Sequence, residues 1–367
     1  MTTINKLHSL FINCSSVSTD TRKIEPNCIF FALTGDNFDA NTFTKEALEK
    51  GAKYVVIDNS DYFIDERTLL VENTLVALQE LAKFHREYLG LPIIALTGSN
   101  GKTTTKELIH VVLSKKYKTL ATIGNLNNHI GVPLTLLRFN KETEIGIVEM
   151  GANHQKEIEF LCEIAQPDYG YITNFGKAHL EGFGGVEGVI KGKSEMYDYL
   201  KNNNKLIFVN LDDPIQNEKT ATVKRFSFAL NTSKPDVKIT AVEANPMVKI
   251  TYNNLLINSH LIGIYNANNI NAAITIGKYF KVSDEQIKEA IENYIPENNR
   301  SQLIQKGDNE IILDAYNANP SSMTAAITNF IQLEKENKIA ILGDMFELGK
   351  ESLSEHKKIV ELLENQK

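Results

Sequence analysis

Two rhythms of apolar and polar positions alternate along the chain. Residues 28–33 (CIFFAL) form a short apolar run, the pattern of a buried strand. FTKEALEKGAK then carries helical spacing up to a stop at Gly51, before a second strand-like run at 53–57. Residues 74–88 (TLVALQELAKFHREY) place Leu75, Leu78, Leu81 and Ala82 on one helical face. LGLP at 89–92 punctuates the chain, so a first domain is expected over 1–89. A second unit, 90–295, opens on PIIALTG, and further strand-like runs end at Glu149 (EIGIVEM), Asn174 (YGYITN) and Asn210 (KLIFVN). Helical stretches separate most of them, which predicts an α/β fold with a mostly parallel sheet covered by helices. Residues 219–262 carry alternating runs such as VKITAV and MVKITYN and predict an antiparallel appendage. NANNINAAITIGKYF and SDEQIKEAIENY predict closing helices. A third unit, 296–367, is expected to hold a strand (IILD), a helix (SSMTAAITNFIQLEKE), a strand (KIAILGD) and a last helical run, HKKIVELLENQK. Two strands and two helices are few for a doubly wound domain. This unit is therefore expected to be a partial one and the least stable part of the chain.

Composition narrows the class. A chain of 367 residues accommodates two or three domains of roughly 100–200 residues. The net charge of −7 and the lack of a long basic run disfavour a nucleic-acid partner, because phosphate binding needs clustered Lys and Arg. No run of about 18 apolar residues is present, so no membrane span is expected. The start, MTTINKLHSLFINCSS, has neither the charged segment nor the apolar core of a secretory signal. Cys14, Cys28 and Cys162 are an odd number at wide spacing, neither a disulfide framework nor a zinc pattern, and a reduced, cytoplasmic setting is expected.

The sharpest chemical signal is TGSNGKTT at 97–104, between an apolar strand and the helical run TTKELIHVVLSKKY. In that setting Gly98 and Gly101 let the backbone close on phosphates, with Ser99, Asn100 and Thr104 completing the loop. Lys102 is then placed for the β/γ-phosphates and the Thr103 hydroxyl for Mg²⁺, with the helix N-terminus adding its dipole. The strict motif would have glycine where Leu96 stands, so this is a shorter variant; the competing interpretation is an ordinary glycine turn. Glu149 ends a strand, where ligand sites of open α/β sheets form, and a carboxylate there can hold Mg²⁺. His179, in NFGKAHLEGFGG, also follows a strand end. Ser, Thr and Asp at positions 18–21 suit a capped turn.

TGSNGKTT resembles the loop of the Mur ligases and of their relative folylpolyglutamate synthetase, which are ATP-dependent amide ligases. EMGANHQKEI, AHLEGFG, KGKSEMYDYL, IGIYNANNINAA, GNLNNHIGVPLTLL, DAYNANPSSM and GDMFELGKES carry the resemblance along nearly the whole chain. GNLNNHIGVPLTLL and DAYNANPSSM are similar to the branch that joins D-alanyl-D-alanine to a UDP-N-acetylmuramoyl tripeptide in peptidoglycan precursor synthesis. The resemblance implies a three-domain architecture: a UDP-substrate domain, a central P-loop ATPase domain and a Rossmann-like third domain, here shortened. It implies ATP and Mg²⁺, with Glu149 as metal ligand, His179 holding a second Mg²⁺, and a carbamylated lysine supporting it. Alignment puts that lysine at Lys193, with Lys191 as the alternative. It further implies Asn266 and Asn269 at the adenine, with Tyr265 in place of the usual histidine, Arg300 at the ATP phosphates and Asp314 near the ribose. Asn125, Asn127 and Asn128 would face the muramoyl peptide, and Ser18, Thr19, Asp20, Thr21, Arg22 and Asp39 the uridine diphosphate. A monomer is expected. Two alternatives stand beside this: another amide ligase of the superfamily, and a nucleotide-binding protein that no longer ligates, which the short third unit would favour.

Overall fold

The structure, a computed structural model, describes residues 1–364. Its first sheet is parallel, in the order β1 (Val17–Ser18), β2 (Ile29–Phe31), β5 (Tyr54–Ile57), β6 (Thr68–Leu70), with a small hairpin of β3 (Thr34–Gly35) and β4 (Phe38–Asp39) beside it. Its strands are apolar on both sides because both sides are covered. Ile29, Phe31 and Val56 pack with Leu7, Phe11, Leu78 and Leu81 of the helices Ile4–Phe11 and Thr74–Leu89. Phe30, Val55 and Ile57 pack with Ala47 and Leu48 of Thr44–Glu49.

The central sheet has nine strands: β7 (Ile93–Thr97), β8 (Thr119–Ala121), β9 (Ile145–Glu149), β10 (Tyr169–Ile172), β11 (Leu206–Asn210), β12 (Arg225–Ala229), β13 (Val237–Ala244), β14 (Met247–Tyr252) and β15 (Leu255–Ile262). Their order is β15-β14-β13-β12-β11-β10-β7-β9-β8, parallel from β8 to β13 and antiparallel from β13 to β15. Alternate residues of β7 enter different cores. Ile94 and Leu96 meet Leu108, Ile109 and Val112 of the helix Lys102–Leu113, whereas Ile93 and Ala95 face the opposite layer. The run 219–262 is thus no separate appendage. β12 and β13 continue the parallel ladder, and the meander beyond them lays Ile239, Ile250, Ile257 and Leu261 in the same core as Ile270 and Ile274 of the helix Ala267–Tyr279. Its alternation reflects a sheet edge with one solvated face.

The third unit contains the antiparallel hairpin β16 (Gln302–Lys306)–β17 (Asn309–Leu313) and the helices Pro320–Gln332 and Ser352–Glu364. The strand expected over KIAILGD does not form. Apolar content alone does not make a strand: a ladder partner is required, and among the described residues β16 and β17 pair only with each other, leaving Ile339 80% and Ile341 94% exposed. β16 itself went unread in the sequence, because its outer residues are polar.

Chain order reverses beside β7, whose neighbours are β9 and β10, so the crevice of the central sheet opens at the C-terminal ends of these three strands. The first unit is tied to the central one by buried polar chains. His85 Nε2 lies 2.8 Å from the Phe139 carbonyl, which only accepts, so that nitrogen carries the hydrogen. His85 Nδ1 must then accept from His8 Nε2 at 3.0 Å. Arg86 donates to the Gln166 carbonyl and pairs with Asp168 at 2.8 Å.

Burial holds both imidazoles below the ordinary histidine range, and for His8 the neighbouring His85 adds to the effect. The rings of Phe11, Phe84 and Tyr88 surround them, with Lys141 above Tyr88. The folded state therefore excludes protons that the unfolded chain takes up below about pH 6.5. Stability is fully present above that value and falls as pH drops through the lowered folded-state values, by up to about 1.4 kcal/mol per pH unit for each excluded proton. His8→Phe should lower stability at neutral pH yet lose less on acidification. Urea midpoints at neutral and acidic pH check this, and an acid slope equal to wild type would contradict it.

Candidate active site

The loop after β7 is pressed against the end of β10. At Gly98, with φ 146°, an added Cβ would lie 1.9 Å from Thr173 Oγ1; at Gly101, with φ 79°, it would lie 2.6 Å from Asn269 Oδ1. Only glycine tolerates both the left-handed backbone and the approach. Polar groups clamp the loop from the β10 side. Ser99 N–H donates to the Asn174 carbonyl at 3.1 Å, Asn100 N–H to Asn174 Oδ1 at 3.1 Å, and Thr173 Oγ1 to the Asn100 carbonyl at 2.6 Å. Gly101 caps the helix Lys102–Leu113, so that helix begins at the phosphate cradle. Lys102 Nζ donates to the Gly98 carbonyl at 2.8 Å, and burial lowers its pKa, with Glu149 opposing the shift.

Glu149 ends β9 and is 2% exposed. Its Oε1 accepts from Thr103 Oγ1 at 3.3 Å and Asn127 Nδ2 at 2.8 Å, while Oε2 is buried with no hydrogen-bond partner among the described residues. A buried carboxylate oxygen without a donor is costly unless a cation meets it, so Glu149 and Thr103 fit part of a Mg²⁺ shell whose remaining ligands would come from substrate and water. Among the described residues, no three of His, Cys, Asp and Glu gather into a ready-made cage.

His179 stands just before the helix Leu180–Phe183, and its ring pairs with Glu347 of the third unit. Burial pulls its pKa down and Glu347 opposes this. Lys193 lies in the helix Val186–Asn202, is 1% exposed, and sits with Nζ 5.2 Å from the centre of the Phe183 ring. Burial, then the nearby Lys102, push its amine well below the usual lysine range. Lys191, two residues earlier, is exposed. The two lysines that the sequence left as alternatives therefore have opposite environments.

Across the loop, Asn269 Oδ1 accepts from Thr105 at 3.0 Å, and Asn269 Nδ2 donates to Asn266 Oδ1 at 2.8 Å. Asn266 Nδ2 donates to the Ile262 carbonyl, so its side chain does not cap the helix it precedes. Tyr265 hydrogen-bonds to Ser301 at 2.8 Å, and burial pushes its phenol up to about 12. Arg300 stacks on Tyr316 at 3.9 Å, and burial raises the carboxyl of Asp314. The third unit docks directly on the clamp. Asn319 Nδ2 donates to Asn100 Oδ1 at 2.6 Å, Lys177 N–H to Ser321 Oγ at 2.8 Å, and Lys177 Nζ to Glu355 at 2.8 Å. These groups enclose a cleft of about 1070 Å³, lined by the phosphate loop, Glu149, His179, Arg300 and Asp314.

Residues 96–277 match the Mur ligase middle domain, and residues 299–367 the Mur ligase glutamate ligase domain. The UDP-N-acetylmuramoyl-tripeptide–D-alanyl-D-alanine ligase of Bacillus subtilis is 38% identical over 339 residues, covering 91% of this chain and 74% of that protein. The chain belongs to the Mur ligase family. The crystal structure of MurF from Acinetobacter baumannii superposes with a TM-score of 0.87 at 33% identity, covering 99% of this chain and 83% of that one. MurF ligase from Thermotoga maritima, solved in complex with ADP, superposes at 0.82 with 26% identity, covering 96% of this chain and 82% of that one.

Within this Mur ligase, the expected site residues fall into two places. Ser99–Thr104, Asn125, Asn127, Asn128, Glu149, His179, Asn266, Asn269, Arg300 and Asp314 border the cleft; Gly98 lies just behind the loop, against Thr173, and Lys193 is buried beside Phe183. Asn128 also caps the helix Gly131–Leu136 through Gly131 N–H at 2.9 Å. Ser18, Thr19, Asp20, Thr21, Arg22 and Asp39 lie in the first unit and do not border the cleft. There Asp20 caps a 3₁₀ turn and takes a two-pronged contact from Arg22 at 2.9 Å, while Asp39 accepts from Asn41 N–H at 2.8 Å. Thr173, Asn174, Asn319, Ser321 and Glu347 were not singled out in the sequence. Position just past a strand end would have flagged the first two; the others depend on docking of the third unit.

Gly98→Ala should leave the fold intact and disable the cradle. Left-handed strain and overlap together cost about 2–4 kcal/mol, so ADP binding should weaken about 30- to 1000-fold. Calorimetric titration with ADP checks this; wild-type affinity would show that the loop tolerates a side chain.

Proposed function

We propose that this Mur ligase joins D-alanyl-D-alanine to UDP-N-acetylmuramoyl-tripeptide with hydrolysis of ATP, and that the cleft at the ends of β7, β9 and β10 is where the amide forms. One observation carries the assignment of roles: Glu149 offers an unpartnered carboxylate oxygen beside Thr103, at the mouth of a backbone cradle that also holds Lys102. The dipeptide-adding activity printed for the Bacillus subtilis relative supports the choice of substrates.

In this reading, the N–H groups of residues 98–104 and the ammonium of Lys102 bind the phosphates of ATP. Asn266 and Asn269 face the adenine, Asp314 the ribose, and Arg300 the transferred phosphoryl group. Thr103 and Glu149 would hold one Mg²⁺; His179 and a carbamylated Lys193 would hold a second. Bound there, Mg²⁺ supplies neutralisation of the phosphoryl oxygens. A neutral Lys193 amine is what carbamylation needs: its nitrogen bonds to the carbon of CO₂ and releases a proton, turning a buried amine into an anionic oxygen ligand. Asn125, Asn127 and Asn128 face the muramoyl peptide, and Ser18, Thr19, Asp20, Thr21, Arg22 and Asp39 the uridine diphosphate. For Arg22 to take a phosphate, it would trade its Asp20 contact for the ligand.

The tripeptide's terminal carboxylate oxygen takes the γ-phosphoryl group, giving an acyl phosphate and ADP. The dipeptide's free amine attacks the carbonyl carbon, and the tetrahedral adduct expels phosphate as the amide forms. Lys102 and Arg300 offset the charge that develops on the phosphoryl oxygens. The ATP and UDP-linked substrates of this reading support a cytoplasmic setting. No helix among the described residues is long and apolar enough to cross a membrane.

Two measurements test this. Among candidate amines offered with the UDP-linked tripeptide and ATP, D-alanyl-D-alanine should be preferred; preference for glutamate or a diamino acid would move the chain to a sister activity. Lys193→Ala should lose turnover by more than about 100-fold, the scale expected when support for a catalytic cation is removed, with partial recovery on adding short carboxylic acids. Full activity without such acids would refute the Lys193 assignment and turn attention to Lys191.

A further inference from the structure

The segment GDMFELGKES reaches from the third unit back over the central one. Met345 and Leu348 are each 3% exposed and belong to the large core shared with the central unit. Between them Glu347 makes two contacts with the same short helix: its carbonyl accepts from Glu181 N–H at 3.1 Å, and its carboxylate meets His179 Nδ1. Both side-chain partners sit in left-handed backbone, His179 at φ 54° and Glu347 at φ 59°. Such conformations cost roughly 1–3 kcal/mol for a non-glycine residue and persist only where the surroundings dictate them.

A carboxylate can only accept, so the hydrogen of this contact belongs to Nδ1 of the imidazole. Nε2 has no hydrogen-bond partner among the described residues, and the ring borders the cleft. We propose that Glu347 is a positioning residue for His179, brought in by docking of the third unit, which fixes the imidazole with its hydrogen on Nδ1 and presents the Nε2 lone pair to the cleft. Carboxylate partners of this kind set both the tautomer and the basicity of ligating histidines. The docked third unit then completes the site in a second way, besides carrying Arg300 and Asp314: it decides which ring nitrogen faces the substrate. This rests on the assignment of His179 to the reacting side of the cleft.

The test uses the full chain. In long-range nitrogen–proton correlation spectra at mildly alkaline pH, with the His179 signal identified by its loss in His179→Ala, wild type should carry hydrogen on Nδ1. Glu347→Gln should keep that tautomer, because the amide oxygen still accepts and the backbone contact to Glu181 is untouched; Glu347→Ala should lose it. Mn²⁺ binding in the presence of a non-hydrolysable ATP analogue should weaken about 10- to 100-fold in Glu347→Ala, the range seen when a partner of a metal-ligating side chain is removed, with Glu347→Gln in between. kcat should fall in the same order while KM for ATP holds. Circular dichroism confirms that each variant is folded. Wild-type tautomer and Mn²⁺ affinity in Glu347→Ala would overturn the proposal. Wild-type Mn²⁺ affinity and turnover in His179→Ala would instead remove the underlying assignment of His179, and the positioning role with it.

Discussion

The contact between the Gly98 loop and the end of β10 sets the position of nearly everything else in the cleft. Side-chain-free backbone lets the loop lie against Thr173, and Thr173 and Asn174 then hold Ser99 and Asn100. From that fixed start the helix Lys102–Leu113 leaves at one angle, which places Thr103 against Glu149 and Thr105 against Asn269. Three strand ends and one helix N-terminus thus meet around a short stretch of backbone. The polar atoms that would be costly to bury are mostly spent on each other. Among the described residues, Thr97 Oγ1 and Glu149 Oε2 are exceptions here, and the second lies where a cation would satisfy it.

The third unit uses the same clamp as its dock. Asn100, which Asn174 holds from one side, accepts from Asn319 on the other, and Lys177, a few residues past β10, is gripped through both its N–H and its ammonium. A shift of the third unit would therefore be felt at the phosphate loop through one or two side chains. The electrostatics point the same way. Burial disfavours the charge on both Lys102 and Lys193; Lys102 adds to this at Lys193, and Arg300 adds to it at Lys102. A cleft so arranged is unfavourable to its own cations and favourable to a phosphate chain that neutralises them.

Much of this was legible in the sequence, because its signals were local. The phosphate loop is contiguous, glycines mark where the backbone must turn left-handed, and strand ends at Glu149 and Asn174 are visible as apolar runs that stop at a polar residue. The opposite environments of Lys191 and Lys193 are set by the helix face that packs on Phe183, which the sequence leaves open. Strand formation in residues 338–344 was misread for a related reason. Apolar composition measures a wish to be buried, whereas a strand exists only through its ladder partner, and partners are a property of the whole sheet. The meander of β13–β15 was read correctly as antiparallel but placed outside the core, since alternation reports one buried face without saying which body covers it.

Most non-glycine residues with left-handed backbone lie at turns and helix ends away from the cleft, but four stand beside it. Asn299 and Ser301, at φ 56° and 51°, bracket Arg300, while His179 and Glu347 face each other across the unit boundary. Glycine would relieve the strain at each place but would delete a group in use at three of them, among them the imidazole and the carboxylate. At Ser301 the hydroxyl is used as well, since Tyr265 and Asn266 both reach it. Strain of roughly 1–3 kcal/mol at a residue is tolerable only if neighbouring contacts outweigh it. Here those contacts run between units: Met345 and Leu348 in the shared core, Glu347 to Glu181, Ser301 to Tyr265. Docking of the third unit thus helps to hold His179, Ser301 and Glu347 in their site conformations, which ties assembly of the cleft to the whole chain rather than to the nucleotide-binding loop alone.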